Sequence, residues 1–270
     1  MVTLAATAAD LNFMNDQIIG LQGWLRSPLG QYLMAWERRQ FDLAVADVFG
    51  FHALQLGLPE IDALAANRMP HRWLATPVPQ PGAQLVTEYS ALPFPANSLD
   101  LVVMPHALEL SPDPHATLRE VERVLVPEGR VIITGLNPLS LWGLRQRRAH
   151  LYRRLGLAPS FLPQDEFIGY LRLRDWVRLL GFEVEAGRFG CYRPAFQSEG
   201  WLDRVDWMDN AGARWWPIFG AAYFVVAVKR VRGVTLLSPT WKAARAHQNT
   251  PVSVVNSAVV AGPKKRKDEN

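Results

Sequence analysis

Two hydrophobic periods take turns along this chain. In GQYLMAWERRQFDLAVADVFG, residues 30 to 50, the residues Leu33, Trp36, Phe41, Val45 and Val48 fall on one broad face. That spacing predicts a helix, with Gly50 as its stop. HALQLG then predicts a short strand, HRWLATPV a second strand closed by PQPG, and AQLVTEYSALPF a third. The run from Leu99 to Met104, broken only by Asp100, suits a strand buried on both faces. SPDPHATLREVERVLVPEG predicts a helix with Pro112 and Pro114 at its entrance, a stripe of Leu118, Val121, Val124 and Leu125, and PEG at its end. RVIITGL predicts a fifth strand. A basic amphipathic stretch, NPLSLWGLRQRRAHLYRRLGL, follows, then a helix around RLRDWVRLLG and a strand FEVEAGRFGCY. EGWLDRVDWMDNAGARWW predicts helix and AAYFVVAVKR a last strand. Strands alternating with helices imply an α/β fold with a parallel-rich sheet covered on both faces. The last strand, near Ala221 to Lys229, is expected to run antiparallel in an edge hairpin.

Composition narrows the class. Apolar residues at 49% and charged residues at 20% are ordinary for a globular protein. Cys191 is the one cysteine, which excludes an internal disulfide and fits a reducing, cytoplasmic setting. The N-terminus shows no signal-peptide pattern. The longest apolar run, Trp215 to Val228, has 14 residues, short of the roughly 20 that a membrane-spanning helix needs. The net charge of +4 is concentrated at one end. Residues 231 to 270 hold seven of the 29 basic and two of the 25 acidic residues, leaving 22 and 23 in the rest, net −1. The domain expectation is therefore an N-terminal extension over 1–29, a folded domain over 30–230, and a basic, disordered tail over 231–270.

The order of motifs in the middle of the chain resembles a known family. Leu92-Pro93-Phe94, a polar turn, Asp100-Leu101-Val102, and Glu120-Val121-Glu122-Arg123-Val124-Leu125-Val126-Pro127-Glu128-Gly129 resemble the type 11 class I S-adenosylmethionine-dependent methyltransferases. FGFHALQLG, GLNPLSLWGLR and LRDWVRLLGFEVEAGRFGCYRP further resemble a proteobacterial subgroup whose members also lack the full glycine loop. The resemblance implies a Rossmann-like, seven-stranded, mainly parallel sheet with helices on both faces. It implies a transferase that uses S-adenosylmethionine on a small or amphipathic molecule.

What the resemblance implies for the site is uneven. Gln55, Gly57, Pro59 and Ile61 stand where the family has an acid and three glycines. Gly57 still allows a turn, while Pro59 lacks an N–H and Ile61 adds bulk. Thr76 stands where a carboxylate would take the ribose hydroxyls. The implied cofactor contacts are Gly57, Leu58, Thr76, Glu88, Tyr89, Ser90, Met104 and Pro105, with Glu88 near the adenine amino group. Binding is expected to be weak, since the ribose acid is missing. His106 is the candidate catalytic base or substrate contact; the alternative is a hydrogen-bonded cleft histidine without a chemical role. Asp113 suits a helix cap, and Asn137 lies on the ligand-binding side of the sheet.

Several classes drop out. His52, His71, His115, His150 and His247 are scattered, so no metal is expected. There is neither a nucleophile elbow nor a lysine-bearing phosphate loop. LRQRRAHLYRRL, 144 to 155, carries five Arg beside Leu144, Leu151 and Leu155. With the basic tail it is a candidate contact for an anionic surface, lipid or nucleic acid, against the simpler reading of a solvated helix face. The second functional class is a non-catalytic binding or regulatory protein on the same scaffold.

Overall fold

A computed structural model describes residues 19–154, 167–196 and 198–230. The chain divides into two units at Val231, and every described residue belongs to the first. The expectation of a disordered tail falls outside the described residues.

Seven strands form one sheet: β1 His52–Leu56, β2 His71–Thr76, β3 Leu85–Val86, β4 Leu99–Pro105, β5 Leu125–Leu136, β6 Phe182–Gly190 and β7 Ala222–Lys229. Their order is β3-β2-β1-β4-β5-β7-β6. Only β7 is antiparallel to its neighbours, and β6 forms the edge beside it. The near-continuous apolar run sits where its composition demands. β4 pairs with β1 and β5 and is buried on both faces. The third strand is shorter than its apolar stretch implies, pairing only through Ala75 with Leu85 and Thr76 with Val86. From Thr87 onward the chain turns away to build the loop that carries Tyr89.

On one face lie α1, residues 19–25, and α2, Pro28–Val45. Leu21, Leu25, Leu29, Leu33, Phe41 and Val45 bury there against Ala53, Leu101, Val103 and Phe224. The boundary expected at residue 30 thus falls inside a helical pair. Ser27 caps α2 by accepting from the Gly30 N–H at 3.2 Å, and Pro28 takes the first-turn position that needs no N–H. Gly30 is required because a Cβ there would lie 2.4 Å from the Leu25 Cα. On the other face, after the single-turn α3 (Ala107–Leu110), α4, Pro114–Val124, and α6, Tyr170–Leu179, cover Leu54, Val102, Met104, Ile133 and Val225. Asp113 caps α4 through the Ala116 N–H at 2.9 Å. Burying each large aliphatic side chain contributes about 1.5–3 kcal/mol.

The family-like motif is a clamp. The Arg123 side chain donates to both Glu120 oxygens, at 2.8 and 2.6 Å, and to the Phe94 carbonyl at 2.9 Å. Glu120 also accepts from the Leu92 N–H at 2.8 Å. Burial pushes the Glu120 carboxyl up, but Arg123 and the Leu92 amide outweigh it and hold it below its ordinary value. Glu-Val-Glu-Arg and Leu-Pro-Phe therefore belong together because α4 pins the turn that precedes β4.

The crossover from β1 to β2, residues 57 to 70, contains no helix. Parallel strands ordinarily use one there. This chain closes the connection with side-chain hydrogen bonds instead, and that decides the shape of the site.

Candidate functional site

Open parallel sheets bind ligands beyond the carboxyl ends of their strands. Here a narrow, tightly filled cleft lies at that end, lined by Gly57, Leu58, Thr76, Pro77, Gln80, Tyr89 and Leu110. Four of the expected cofactor residues, Gly57, Leu58, Thr76 and Tyr89, meet in it. Glu88, Ser90, Met104 and Pro105 do not line it. Ser90 is exposed, and Met104 and Pro105 are buried in β4. Pro105 still borders the cleft from below, because a Cβ on Gly57 would stand 3.1 Å from its carbonyl oxygen.

Gly57 turns with φ +95° and donates its N–H to the Ala75 carbonyl at 3.0 Å. An L side chain at that φ is strained, and β4 leaves it little room. So the single glycine after β1 is required by turn and close approach together.

Gln55 explains what happens after the turn. Its side-chain amide donates to the Leu58 and Ile61 carbonyls, at 2.9 and 2.6 Å, and accepts from the Ala63 N–H at 3.0 Å. Leu58 and Ile61 bury their side chains beneath α2. The residue at the family's acidic position therefore holds its own loop shut. The Thr76 hydroxyl donates to the Val78 carbonyl at 2.8 Å, so it closes the turn after β2.

Tyr89 is different. It is 4% exposed, and its hydroxyl has no hydrogen-bond partner. Burial pushes the phenol up, so it is a neutral donor at ordinary pH. The oxygen lies 3.6 Å from where a Gly57 Cβ would stand, directly across the cleft. A buried hydroxyl left unpaired costs about 1–3 kcal/mol. A ligand oxygen or nitrogen in the cleft would recover that.

His106 is not an open base. It takes φ +52° at the end of β4, and its ring is 1% exposed. Nδ1 lies 2.8 Å from Glu109 and Nε2 forms an ion pair with Glu37 at 2.9 Å; both acids are buried. Glu109 also accepts from the Leu136 N–H at 2.7 Å. Burial alone would lower the imidazole's pKa, but the two carboxylates outweigh this and lift it to about 10. Glu37 comes from α2, the first long helix, and nothing in the local sequence around His106 points to it. Asn137 is structural in the same way, donating to the Ile218 and Gly220 carbonyls at 2.7 and 2.9 Å.

The tests of cofactor fit are chemical and spatial. Tyr89 offers a free donor, Gly57 a bare backbone and Leu58 and Leu110 apolar walls, which suit an adenosyl group in kind. The cleft as it stands has no room for even a water molecule, whereas ordinary ligand sites enclose roughly 300–1,000 Å³. Binding therefore requires the cleft to widen.

Comparisons with known proteins agree with this architecture. A family described as "Methyltransferase domain" matches residues 60–133. The uncharacterized protein YafS of Escherichia coli (strain K12) is 30% identical over 216 residues, spanning 79% of this chain and 82% of that protein. The biotin biosynthesis bifunctional protein BioHC of Saccharophagus degradans is 29% identical over 170 residues, 60% of this chain but 30% of that protein. Among solved structures, a SAM-dependent methyltransferase from Thermotoga maritima superposes with TM-score 0.54 at 15% identity, over 81% of this chain and 100% of that one.

Proposed function

The chain belongs to the type 11 family of S-adenosylmethionine-dependent methyltransferases, and we propose that it binds that cofactor weakly and methylates a small or amphipathic acceptor. The observation that carries the cofactor reading is the orphaned Tyr89 hydroxyl facing the Gly57 turn inside the cleft. When bound, the cofactor supplies an already activated methyl group. The chain's own residues would do the rest by placement. Gly57 gives backbone access, Tyr89 donates a hydrogen bond, and Leu58 and Leu110 exclude water. Glu88 would lie toward the adenine end, with Met104 and Pro105 as the floor. Held geometry of this kind lowers the barrier to displacement without a catalytic triad.

The cleft also bears on the acceptor. Among the described lining residues none takes up a proton at neutral pH: Tyr89 and Thr76 are neutral hydroxyls and Gln80 is an amide. His106 is not among the lining residues, and its ring nitrogens face Glu109 and Glu37. The acceptor that fits such a lining is a group already unprotonated at neutral pH, such as a carboxylate. We assign contact with an anionic surface to the Arg-rich segment 144–155 and the basic tail.

A second reading, a non-catalytic binding protein, is favoured by one observation: Gln55 ties the loop closed with three hydrogen bonds. Calorimetric titration with S-adenosylmethionine and S-adenosylhomocysteine separates the two. Micromolar to millimolar binding of both supports the enzyme. No heat and no thermal shift at millimolar ligand leaves the binding-protein reading.

A further inference from the structure

The carboxyl end of the sheet carries a second feature, beyond the cleft. The segments after β5 and β6 and the one before β7 all emerge there, since β5 and β6 both run antiparallel to β7. Together they present apolar side chains to solvent. On α5, Leu141–Arg154, Trp142 and Gln146 face inward and are buried. Leu141 and Leu144 face outward, 49% and 51% exposed, with Arg147 and Arg148 exposed on the following turn. The helix contains no Asp or Glu. Beside it, the 3-10 turn Pro217–Phe219 exposes Ile218 and Phe219 at 54% and 48%.

These pieces form one surface, because short bonds tie them together. Asn137 accepts from the Leu139 N–H and donates to the Ile218 carbonyl, linking the start of α5 to that turn. Trp142 donates its indole N–H to the Arg193 carbonyl at 2.8 Å, and Arg145 reaches the Ala195 carbonyl. The adjoining Phe196 packs on Trp201 with ring centroids 6.0 Å apart, and the Arg204 guanidinium lies over that indole. Of the nearby acids, Asp206 and Asp209 are engaged by Arg193, while Asp203 is exposed on the helix that carries Trp201 and Arg204. The face therefore offers leucine, phenylalanine and tryptophan with guanidinium groups among them.

We propose that this face docks on the surface of an anionic phospholipid bilayer. Exposed apolar contiguity marks an interaction site. Aromatic rings with polar edges and guanidiniums on aliphatic stems match the headgroup layer, where apolar bodies sink and charged heads meet phosphate. A protein partner would fit the apolar groups without needing an acid-free cationic helix, and a nucleic acid would fit the cations without the leucines. The proposal deepens the amphipathic-acceptor reading, on which it rests only for purpose: an acceptor dissolved in the bilayer would reach the same end of the sheet as the cleft.

Flotation of the full chain with unilamellar vesicles tests it, without cofactor present. Wild-type protein should float with vesicles containing phosphatidylglycerol and much less with phosphatidylcholine alone, and binding should fall in high salt. Arg147→Gln with Arg148→Gln should weaken partitioning about thirtyfold, roughly fivefold per cation. Leu141→Ser with Leu144→Ser, and Ile218→Ser with Phe219→Ser, should each weaken it about tenfold or more. All six positions are exposed, so thermal midpoints and S-adenosylhomocysteine affinity should stay as in the wild type. That separates failure of this face from failure of the methyltransferase reading. Protein that ignores anionic vesicles overturns the proposal. So does flotation unchanged in all three double variants, which would place binding in the tail. A dimer in sedimentation, or an RNA complex, that the same substitutions dissolve while flotation is absent also overturns it.

Discussion

Raising the pH should weaken this fold, with His106 controlling by how much. Burial alone would lower the imidazole's pKa, yet Glu37 and Glu109 outweigh it and lift the value to about 10. In the unfolded chain a histidine titrates near 6.5. Between those values the folded state keeps a proton that the unfolded chain releases. The stabilisation is therefore fully present below about pH 6.5 and is lost as pH rises toward 10. Glu109 acts in the same direction: burial raises its carboxyl, so the folded state also holds that proton longer. One site can change stability by at most about 1.4 kcal/mol per pH unit, so His106 sets a ceiling of about 4 kcal/mol between pH 6.5 and 9.5. His106 and Glu109 are coupled, so the observed curve belongs to the pair. For a domain of this size 1 kcal/mol moves the thermal midpoint by about 2–4 °C. Melts followed by circular dichroism at constant ionic strength should show a fall of at most about 8–16 °C across that window. Glu37→Gln removes one of the carboxylates that raise the imidazole, and the fall should shrink by about half. A flat wild-type midpoint, or a Glu37→Gln variant with an undiminished slope, refutes the assignment of a buried imidazolium.

Other substitutions probe the cleft. Tyr89→Phe removes an unpaired buried hydroxyl, so unfolding should show unchanged or raised stability while S-adenosylhomocysteine binding weakens about threefold to tenfold in calorimetry; unchanged affinity would remove Tyr89 from the site. Gly57→Ala forces a side chain into φ +95° beside the Pro105 carbonyl and should destabilise by about 1–3 kcal/mol in urea. Gln55→Ala leaves the Leu58 and Ile61 carbonyls and the Ala63 N–H only their local turn bonds, so hydrogen exchange over 57 to 63 should accelerate; protection equal to wild type would show that packing of Ile61, rather than Gln55, shuts the loop. Arg123→Met breaks the clamp on the Leu92–Phe94 turn, and a loss of about 1–3 kcal/mol is expected from the carbonyls and carboxylate left behind.

Hydrophobic periodicity alone determined most of the architecture. An apolar run on both faces, as in Leu99–Met104, can only be central, because an edge strand would expose half of it. The alternation of periods then leaves a parallel sheet with two covered faces; the last two strands do pair antiparallel, but the helices over 199–215 lie between them in sequence, so they form no tight hairpin. Gly57 and Asp113 were legible for local reasons, one by turn geometry and one by capping. Other features were decided only when distant segments met. Glu37 and His106 are far apart in sequence, yet α2 crosses the end of β4 and turns a plausible base into a buried ring held between two acids. Gln55 reads as a replaced acid, and only the folded loop shows it bonding to its own chain. The two-residue β3 ends because the backbone leaves the sheet to place Tyr89 over Gly57, a choice that propensity does not encode. Local pattern reports which face of an element is apolar. Which polar side chains that burial then traps together depends on the crossing of elements, and here that crossing determines the chemistry of the site.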